Sequence, residues 1–225
     1  MNCNKWFLEM KDTSGYLLFP PYGIHWSHYG SVMVADSIAK YISKKASWPL
    51  ADLRITARNY SKKTRYFDND IASAMNLFNV LEPDSMLYPE FEWVKPSEPQ
   101  QKKKLLIIGD SFTWDIFENV GLGTDCFDDI EFWFYNQTVH TVATAGASLD
   151  WSLPVLTRHM NLSQTLNDFD AFLILTNEPN LEKFAWGFVN DALNTLSDSN
   201  FVREERMNDY LAEQCRNLPG WRQTL

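Results

Sequence analysis

The sequence predicts an α/β protein in which helices flank a parallel β-sheet. The run of four large apolar residues at 105–108 is typical of a strand that is buried on both faces, and Ala171–Leu175 is a second strand-like run. From Leu105 onward, strand-like and helix-like segments alternate, which is the order expected for parallel strands joined by right-handed crossovers. A chain of 225 residues with 45% hydrophobic content can bury one substantial core. We therefore expect one domain over 1–225, with 43–103 as an insertion or a linker.

The individual elements are predicted from hydrophobic spacing and from turn residues. Apolar residues at helical spacing predict a helix over 31–42, and a composition rich in Pro, Glu, Gln and Lys predicts a surface linker over 83–104. The remaining expected elements are a strand over 16–20, a helix over 68–80, a helix over 112–120, a strand over 130–135, a helix near 153–166, a strand over Ala171–Leu175 and helices after it.

Charge and cysteine usage exclude several classes of function. The formal net charge of −9 argues against a nucleic-acid partner. Three widely separated cysteines, Cys3, Cys126 and Cys215, indicate neither a disulfide framework nor a zinc site. No stretch is long and apolar enough to span a bilayer, and the first residues do not have the pattern of a signal peptide.

Ser111 is the first candidate site residue. The apolar run 105–108 leads into Gly109-Asp110-Ser111, at the carboxyl end of the predicted strand. Open α/β sheets bind ligands outside the carboxyl ends of their strands, and N–H groups at the start of the next helix can stabilise an oxyanion. Ser111 is therefore a candidate nucleophile. The alternative is that Asp110 or Ser111 only caps the following helix.

Four histidines are available as a general base: His25, His28, His140 and His159. His25 stands just before the predicted helix 31–42, so it would be held on a rigid support. Two histidines three residues apart could also bind a metal, but no third ligand has a recognisable spacing, and no metal is expected. His25 as an ordinary buried core residue is the remaining alternative.

The Gly109-Asp110-Ser111 segment resembles the first block of the SGNH/GDSL hydrolase superfamily. Those proteins usually carry the catalytic histidine near the C-terminus in an Asp-x-x-His pair, and this chain has no histidine after His159. The upstream sequence HWSHYG, which begins at His25, resembles the His-Trp-Ser-x-x-Gly element of the alginate O-acetyltransferase (DHHW) branch, where the histidine block precedes the serine block. The resemblance covers 16–42 and about 104–188. It implies a three-layer, flavodoxin-like fold with His25 as base and Ser111 as nucleophile.

One departure from the family pattern concerns the acid that orients the histidine. The family usually has Asp-x-His-Trp, whereas this chain has Gly23 at the aspartate position. Glycine can neither hold the histidine tautomer nor stabilise an imidazolium. The alternatives are another carboxylate, with Asp110, Asp36 and Asp12 as candidates, a Ser-His dyad, or an inactive site.

The resemblance also implies oxyanion donors. Asn177 follows the strand Ala171–Leu175, and Asn177-Glu178 is similar to the second half of the family's Gly-x-Asn-Asp block, although Leu175 replaces the glycine. An amide suits this role because a carboxylate would repel the developing negative charge. Ordinary turn chemistry is the alternative. For the family's remaining glycine donor, Gly146 and the turn at Asn136 are both possible positions.

The substrate is the part of the prediction that depends most on the resemblance. It implies a polysaccharide O-acetyltransferase of the periplasm or cell envelope, without a cofactor, that receives acetyl groups from a membrane-bound O-acyltransferase. Trp26, Trp114 and Trp151 are expected to stack on the sugar. An esterase with the same site and a non-catalytic glycan-binding or export-scaffold protein are the alternatives. Because the histidine block lies close to Met1, we expect the chain to lack upstream sequence that its relatives possess.

Overall fold

The computed structural model describes residues 1–76, 81–83, 85–97, 103–141 and 155–197. Within them, the helices are α1 (Cys3–Met10), α2 (His28–Ala46), α3 (Asp70–Ala74), α4 (Thr113–Glu118), α5 (Leu122–Cys126), α6 (Leu162–Asp168) and α7 (Phe188–Ser197). The strands are β1 (Asp52–Ser61), β2 (Met86–Val94), β3 (Lys104–Gly109), β4 (Asp129–Phe134), β5 (Thr138–Thr141), β6 (Val155–Leu156) and β7 (Ala171–Leu175). 3₁₀ segments occur over Thr157–His159 and within Glu178–Gly187, where residues 183–186 form a non-helical kink.

The described strands form a five-stranded sheet in the order β6-β5-β4-β3-β7 and a separate two-stranded sheet of β1 and β2. β3 pairs in parallel with both β4 and β7. β5 is antiparallel to β4 and β6 is antiparallel to β5, so β5 alone runs against the other four. The protein is thus a mixed α/β fold with a mostly parallel sheet flanked by helices, as the sequence predicts.

Both faces of β3 are buried, which is what its unbroken apolar run predicts. Leu105 and Ile107 point to one face and pack with Phe117 of α4. Leu106 and Ile108 point to the other face, in a separate cluster that includes Phe188 of α7. Burying each such aliphatic side chain contributes roughly 1.5–3 kcal/mol, so the central strand is rigidly held between two helical layers.

Helix α2 covers the same face of the sheet as α4 and α5. Its buried side chains, including Val34 and Ala35, belong to a core cluster with Ile116 and Leu122. Residues of β1 and β2 pack against this cluster as well. The helix ends at Ser47, which adopts the left-handed conformation with φ 56°. The predicted helix 31–42 is therefore correct in type but extends further at both ends.

Three expected elements differ from the structure. Residues 16–20 form bends instead of a strand, and residues 83–104, expected as a linker, contain β2. Pro89 is tolerated in β2 because, among the described strands, β2 pairs with β1 alone and so has an open edge. The helix expected near 153–166 is replaced by β6, the 3₁₀ segment Thr157–His159 and the start of α6.

β5 is an element that the sequence analysis missed. It follows β4 through a three-residue turn, 135–137, whose first two residues, Tyr135 and Asn136, both have positive φ, at 52° and 51°. Such a turn matches the twist of an antiparallel hairpin, but its usual sequence signal is Asn-Gly or Asp-Gly, which is absent here. In the described part of the chain, no helix combines the length and apolar character needed to cross a membrane.

Candidate active site

Ser111 lies in the tight turn between β3 and α4, at the carboxyl edge of the sheet. A Cβ at Gly109 would collide with the side chain of Thr113, so only glycine allows the chain to turn this closely. The Phe112 N–H donates to Asp110 Oδ1 at 3.0 Å, and the Thr113 N–H donates to the Asp110 carbonyl at 3.0 Å. These bonds fix the backbone on both sides of Ser111.

His25 connects Ser111 to a carboxylate. Its Nε2 lies 2.8 Å from Ser111 Oγ, and its Nδ1 lies 2.5 Å from Asp70 Oδ2. With Nδ1–H donating to the carboxylate, Nε2 presents its lone pair to the serine hydroxyl. The rings of Phe112 and Phe67 contact the imidazole at centroid distances of 4.9 and 5.8 Å. The three polar groups thus form a continuous hydrogen-bonded chain with a fixed imidazole orientation.

Asp70 is the first residue of α3, and both of its oxygens are used. Oδ2 faces His25, while Oδ1 accepts the backbone N–H groups of Ile24 at 2.9 Å and Ile71 at 2.8 Å. The carboxylate therefore binds the residue next to the histidine as well as the histidine itself. This double attachment sets the position of His25 relative to α3.

Asp70 is not identifiable from the sequence as a partner of His25, because 45 residues separate the two. None of the three candidates that the sequence suggests for the orienting acid contacts the imidazole among the described hydrogen bonds. Asp12 is exposed, and Asp36 pairs with Lys40 at 2.8 Å on α2. The only local signal for Asp70 was an acidic residue in the first turn of a predicted helix, which is common at helix starts.

Asp110, the third candidate, has a different role in the structure. It is fully buried, and its Oδ2 accepts the backbone N–H of Asn177 at 2.6 Å and the Asn180 side-chain amide at 3.3 Å. Its own N–H donates to the Leu175 carbonyl at 3.3 Å. Asp110 therefore joins the Ser111 turn to the segment after β7.

The start of α2 explains the His-Trp-Ser-x-x-Gly pattern. Ser27 Oγ accepts the Gly30 N–H at 3.1 Å as an N-cap and donates to the Leu17 carbonyl at 2.7 Å. A Cβ at Gly30 would come within 2.9 Å of the Leu18 carbonyl oxygen. The cap and the close approach of residues 17–18 anchor the chain two residues after His25.

Two candidate oxyanion donors lie on the joined turns. Among the described residues, no acceptor pairs with the N–H of Ser111, whereas the Phe112 and Thr113 N–H groups are already engaged. Asn177 caps the following 3₁₀ segment by accepting the Asn180 N–H at 3.2 Å through Oδ1. Its Nδ2 group makes no hydrogen bond within the described part of the chain. Gly146 lies outside the described residues.

Two of the tryptophans expected to contact the sugar are core residues. Trp114 is 6% exposed and packs edge-on against Phe132 at 4.7 Å. Trp26 is 5% exposed and packs against Phe112 at 5.2 Å, so it supports a neighbour of Ser111 from behind. Helical spacing and sequence proximity to the site could not distinguish this packing from exposure. Trp151 lies outside the described residues.

A different aromatic pair stands at the carboxyl edge of the sheet. Tyr135 and Trp186 are partly exposed and meet edge to face at 5.1 Å. The Tyr135 N–H donates to the Gly109 carbonyl at 2.8 Å, and the Asn136 amide donates to the Trp186 carbonyl at 3.1 Å. Both aromatic residues have positive φ, at 52° and 46°, a conformation that costs free energy and is held by these contacts.

The remaining histidines have other neighbours within the described part of the chain. No group of three or more His, Cys, Asp or Glu side chains within the described ranges has an arrangement that could hold a metal ion. His28 is buried against Asp115. His140 is buried beside Trp114, and desolvation lowers its pKa.

Comparison with protein-family models finds no match for the chain, and comparison with curated proteins finds none either. Among solved structures, the chain is similar to the O-acetyltransferase domain of Pseudomonas putida AlgJ, with 12% sequence identity and a TM-score of 0.36. The match covers 59% of this chain and 46% of that chain, which is less than half of its length. The chemistry of this chain is therefore inferred from the arrangement of Asp70, His25 and Ser111.

Proposed function

We propose that the protein transfers acetyl groups through an acyl-serine intermediate, with Ser111 as nucleophile, His25 as general base and Asp70 as orienting acid. The observation that carries this proposal is the hydrogen-bonded chain from Asp70 Oδ2 through His25 to Ser111 Oγ, at 2.5 and 2.8 Å. These roles and distances match the requirements of nucleophile activation by a neighbouring base.

The first half-reaction forms the acyl-enzyme. As Ser111 Oγ bonds to the carbonyl carbon of the acetyl donor, its proton passes to His25 Nε2, and Asp70 stabilises the imidazolium. The resulting oxyanion is stabilised by the Ser111 N–H and by the amide of Asn177. Collapse of the intermediate breaks the bond to the leaving group, which takes the proton from His25.

The second half-reaction regenerates the serine. His25 removes a proton from an acceptor hydroxyl as that oxygen attacks the acetyl-serine, and Ser111 leaves with the proton returned by His25. A sugar hydroxyl as acceptor gives an O-acetylated polysaccharide. Water as acceptor makes the same site an esterase, which is the alternative function.

The sugar acceptor is supported by the motif resemblance and by one feature of the site. The Tyr135 N–H donates a hydrogen bond to the carbonyl of Gly109, two residues before Ser111. The Tyr135 ring contacts the partly exposed Trp186. Aromatic faces of this kind suit the apolar faces of pyranose rings. The resemblance further suggests an acetyl supply from a membrane-bound O-acyltransferase and a periplasmic or cell-envelope location.

A non-catalytic glycan-binding or scaffold protein is the alternative from another class. The sequence feature that favours this alternative is Gly23, which stands where the family pattern has an aspartate. Asp70 lies at hydrogen-bond distance from His25 and offers the same carboxylate chemistry, which favours the catalytic proposal.

Labelling with a fluorophosphonate probe tests the nucleophile. We expect one covalent adduct at Ser111, a rate of labelling that falls sharply in His25→Ala, and no adduct in Ser111→Ala. Ser61→Ala, at the end of β1, is the matched control and should label like the natural protein. Full labelling of Ser111→Ala, or no labelling of the natural protein together with no hydrolysis of acetate esters, would overturn the catalytic proposal.

A further inference from the structure

A second set of Asp, His and Asp side chains is buried within a few residues, in sequence, of the proposed catalytic residues. Asp68 precedes Asp70 by two residues, His28 follows His25 by three, and Asp115 follows Ser111 by four. All three are buried, with exposures of 1%, 3% and 3%. Each segment that carries a catalytic residue therefore also contributes one residue to an inner cluster, which we define as Asp68, His28 and Asp115.

His28 joins the other two members of the inner cluster. Its Nδ1 lies 3.0 Å from Asp115 Oδ2, and its backbone N–H donates to Asp68 Oδ1 at 3.1 Å. The second oxygen of Asp115 accepts the Asn119 amide at 2.7 Å, which holds that carboxylate on α4. The inner cluster thus ties α2, α4 and the segment before α3 to one another.

Aromatic side chains enclose His28. The Tyr66 ring lies 4.2 Å from the imidazole centroid, and Tyr88 of β2 lies at 6.3 Å. Tyr88 accepts the Arg65 N–H at 2.9 Å, and the Arg65 guanidinium stands 4.8 Å from its ring. These contacts exclude water from the inner cluster and hold residues 65–68 against β2.

Asp68 is the member of the inner cluster whose hydrogen bonding is least complete. Its Oδ1 binds the His28 N–H, but its Oδ2 has no hydrogen-bond partner of good geometry among the described residues. Burial raises its pKa to about 6, the Asp115 charge adds to that increase, and the Tyr88 hydroxyl and His28 oppose it. A buried carboxylate whose charge is only partly compensated costs free energy.

We propose that Asp68, His28 and Asp115 are positioning residues that fix the distances within the Asp70–His25–Ser111 triad. This inference rests on the proposed function. The three catalytic groups come from segments that are far apart in sequence: the chain before α2, the start of α3 and the turn before α4. The inner cluster connects the same three segments a few residues away, with short polar contacts that tolerate little displacement.

Its catalytic importance follows from the sensitivity of proton transfer to geometry. A displacement of about 1 Å can reduce a rate by about 100-fold. Binding of the acyl donor does not involve the inner cluster, because its side chains are buried. Loss of a member should therefore lower kcat while leaving KM nearly unchanged.

Asp115→Asn is the main test, since it places an amide donor against the Nδ1–H of His28 without changing side-chain size. We expect kcat on an acetate ester to fall about 10- to 100-fold. KM should stay within about threefold of the value for the natural protein. The proton NMR signal of the hydrogen between His25 Nδ1 and Asp70 should also shift or broaden. His140→Gln is the matched control, because His140 is a buried histidine on β5, and it should preserve both readouts.

A pair of variants at Asp68 covers the case in which Asp115→Asn does not fold. Asp68→Asn keeps an oxygen for the His28 N–H and should retain kcat at pH 8, whereas Asp68→Leu removes that oxygen and should lose it. Folded Asp115→Asn or Asp68→Leu proteins with an unchanged NMR signal and unchanged kcat would overturn the positioning role. The NMR signal of the natural protein does not require turnover, so a lack of esterase and transferase activity would contradict the proposed function alone.

Discussion

Asp70 Oδ1 lies 3.1 Å from the position that a Cβ of residue 23 would occupy, and Pro20 Cγ lies 2.8 Å from it. Gly23 is the position at which the family pattern places its aspartate. A carboxylate from α3 fills the same space in this protein and binds His25 from there. The carboxylate that contacts His25 therefore comes from a segment distant in sequence, and Gly23 leaves room for it.

Replacing Gly23 with alanine should disturb this contact. The added methyl group would stand too close to Pro20 and to the Asp70 carboxylate, so we expect a decrease in kcat of about 10- to 100-fold through misplacement of the acid. Steady-state kinetics on a chromogenic acetate ester would measure it. An unchanged kcat in a folded Gly23→Ala protein would show that the close packing is irrelevant to activity.

Asp70→Asn tests the acid itself. The amide keeps the size of the side chain but favours the wrong histidine tautomer, so kcat should fall by about 10³- to 10⁴-fold. Asp36→Asn, on α2, is the matched control and should keep full activity because Asp36 pairs with Lys40 instead of His25. Equal activities of the two variants would contradict the role of Asp70.

The stability of the protein should depend on pH through Asp68. Its pKa rises from 3.8 to about 6 on folding because the carboxyl group is buried. Between these values the folded protein binds more protons than the unfolded chain, so the free energy of unfolding decreases as pH rises from about 4 to about 6. The loss attributable to Asp68 is about 3 kcal/mol over the full window.

Asp68→Asn should remove this part of the pH dependence. Urea unfolding of both proteins at several pH values between 4 and 8 would give the two slopes. The variant should be the more stable protein at pH 8, since it carries no buried charge at residue 68. A variant whose unfolding free energy follows that of the natural protein at every pH would rule out Asp68 as the titrating group.

Trp114→Ala should act on stability, because Trp114 is buried among Phe132, Phe134 and His140. Removing a large buried aromatic side chain typically costs 3–5 kcal/mol. We expect a loss of about that size in denaturant unfolding and no specific change in the ratio of hydrolysis to transfer. A stable Trp114→Ala protein with an altered ratio would instead support a sugar contact.

Trp186→Ala should change the fate of the acyl-enzyme. Without the ring beside Tyr135, an oligosaccharide acceptor would be held less well while water still reaches the acetyl-serine, so the ratio of hydrolysis to transfer should rise. Mass spectrometry of the acceptor together with released acetate measures the ratio. Trp48→Ala is the matched control, because Trp48 packs with Lys103 near the start of β3. Equal decreases in both products would argue against an acceptor contact at Trp186.

Local sequence signals were sufficient for the elements nearest the site. The apolar run of β3 is buried on both faces, and β7 begins and ends at the predicted residues. The turn at Gly109-Asp110-Ser111 follows from residue types that lie next to one another, and the same holds for the body of the helix predicted over 31–42, although its start at His28 with the Ser27 cap was not predicted. In each case the determining interactions are made within a few residues of chain, so the pattern alone contains them.

The pairing of distant segments was decided by the tertiary structure. Asp70 meets His25, Asp68 meets His28 and Trp114 enters the core because α2, α3 and α4 pack together, and no local pattern encodes which carboxylate or which ring a helix will face. A short aspartate side chain contacts whatever the fold places within about 3 Å of it. The sequence by itself therefore determined strand β3, the turn that carries Ser111 and the helix that follows His25, while packing across the chain selected the carboxylate that completes the candidate site.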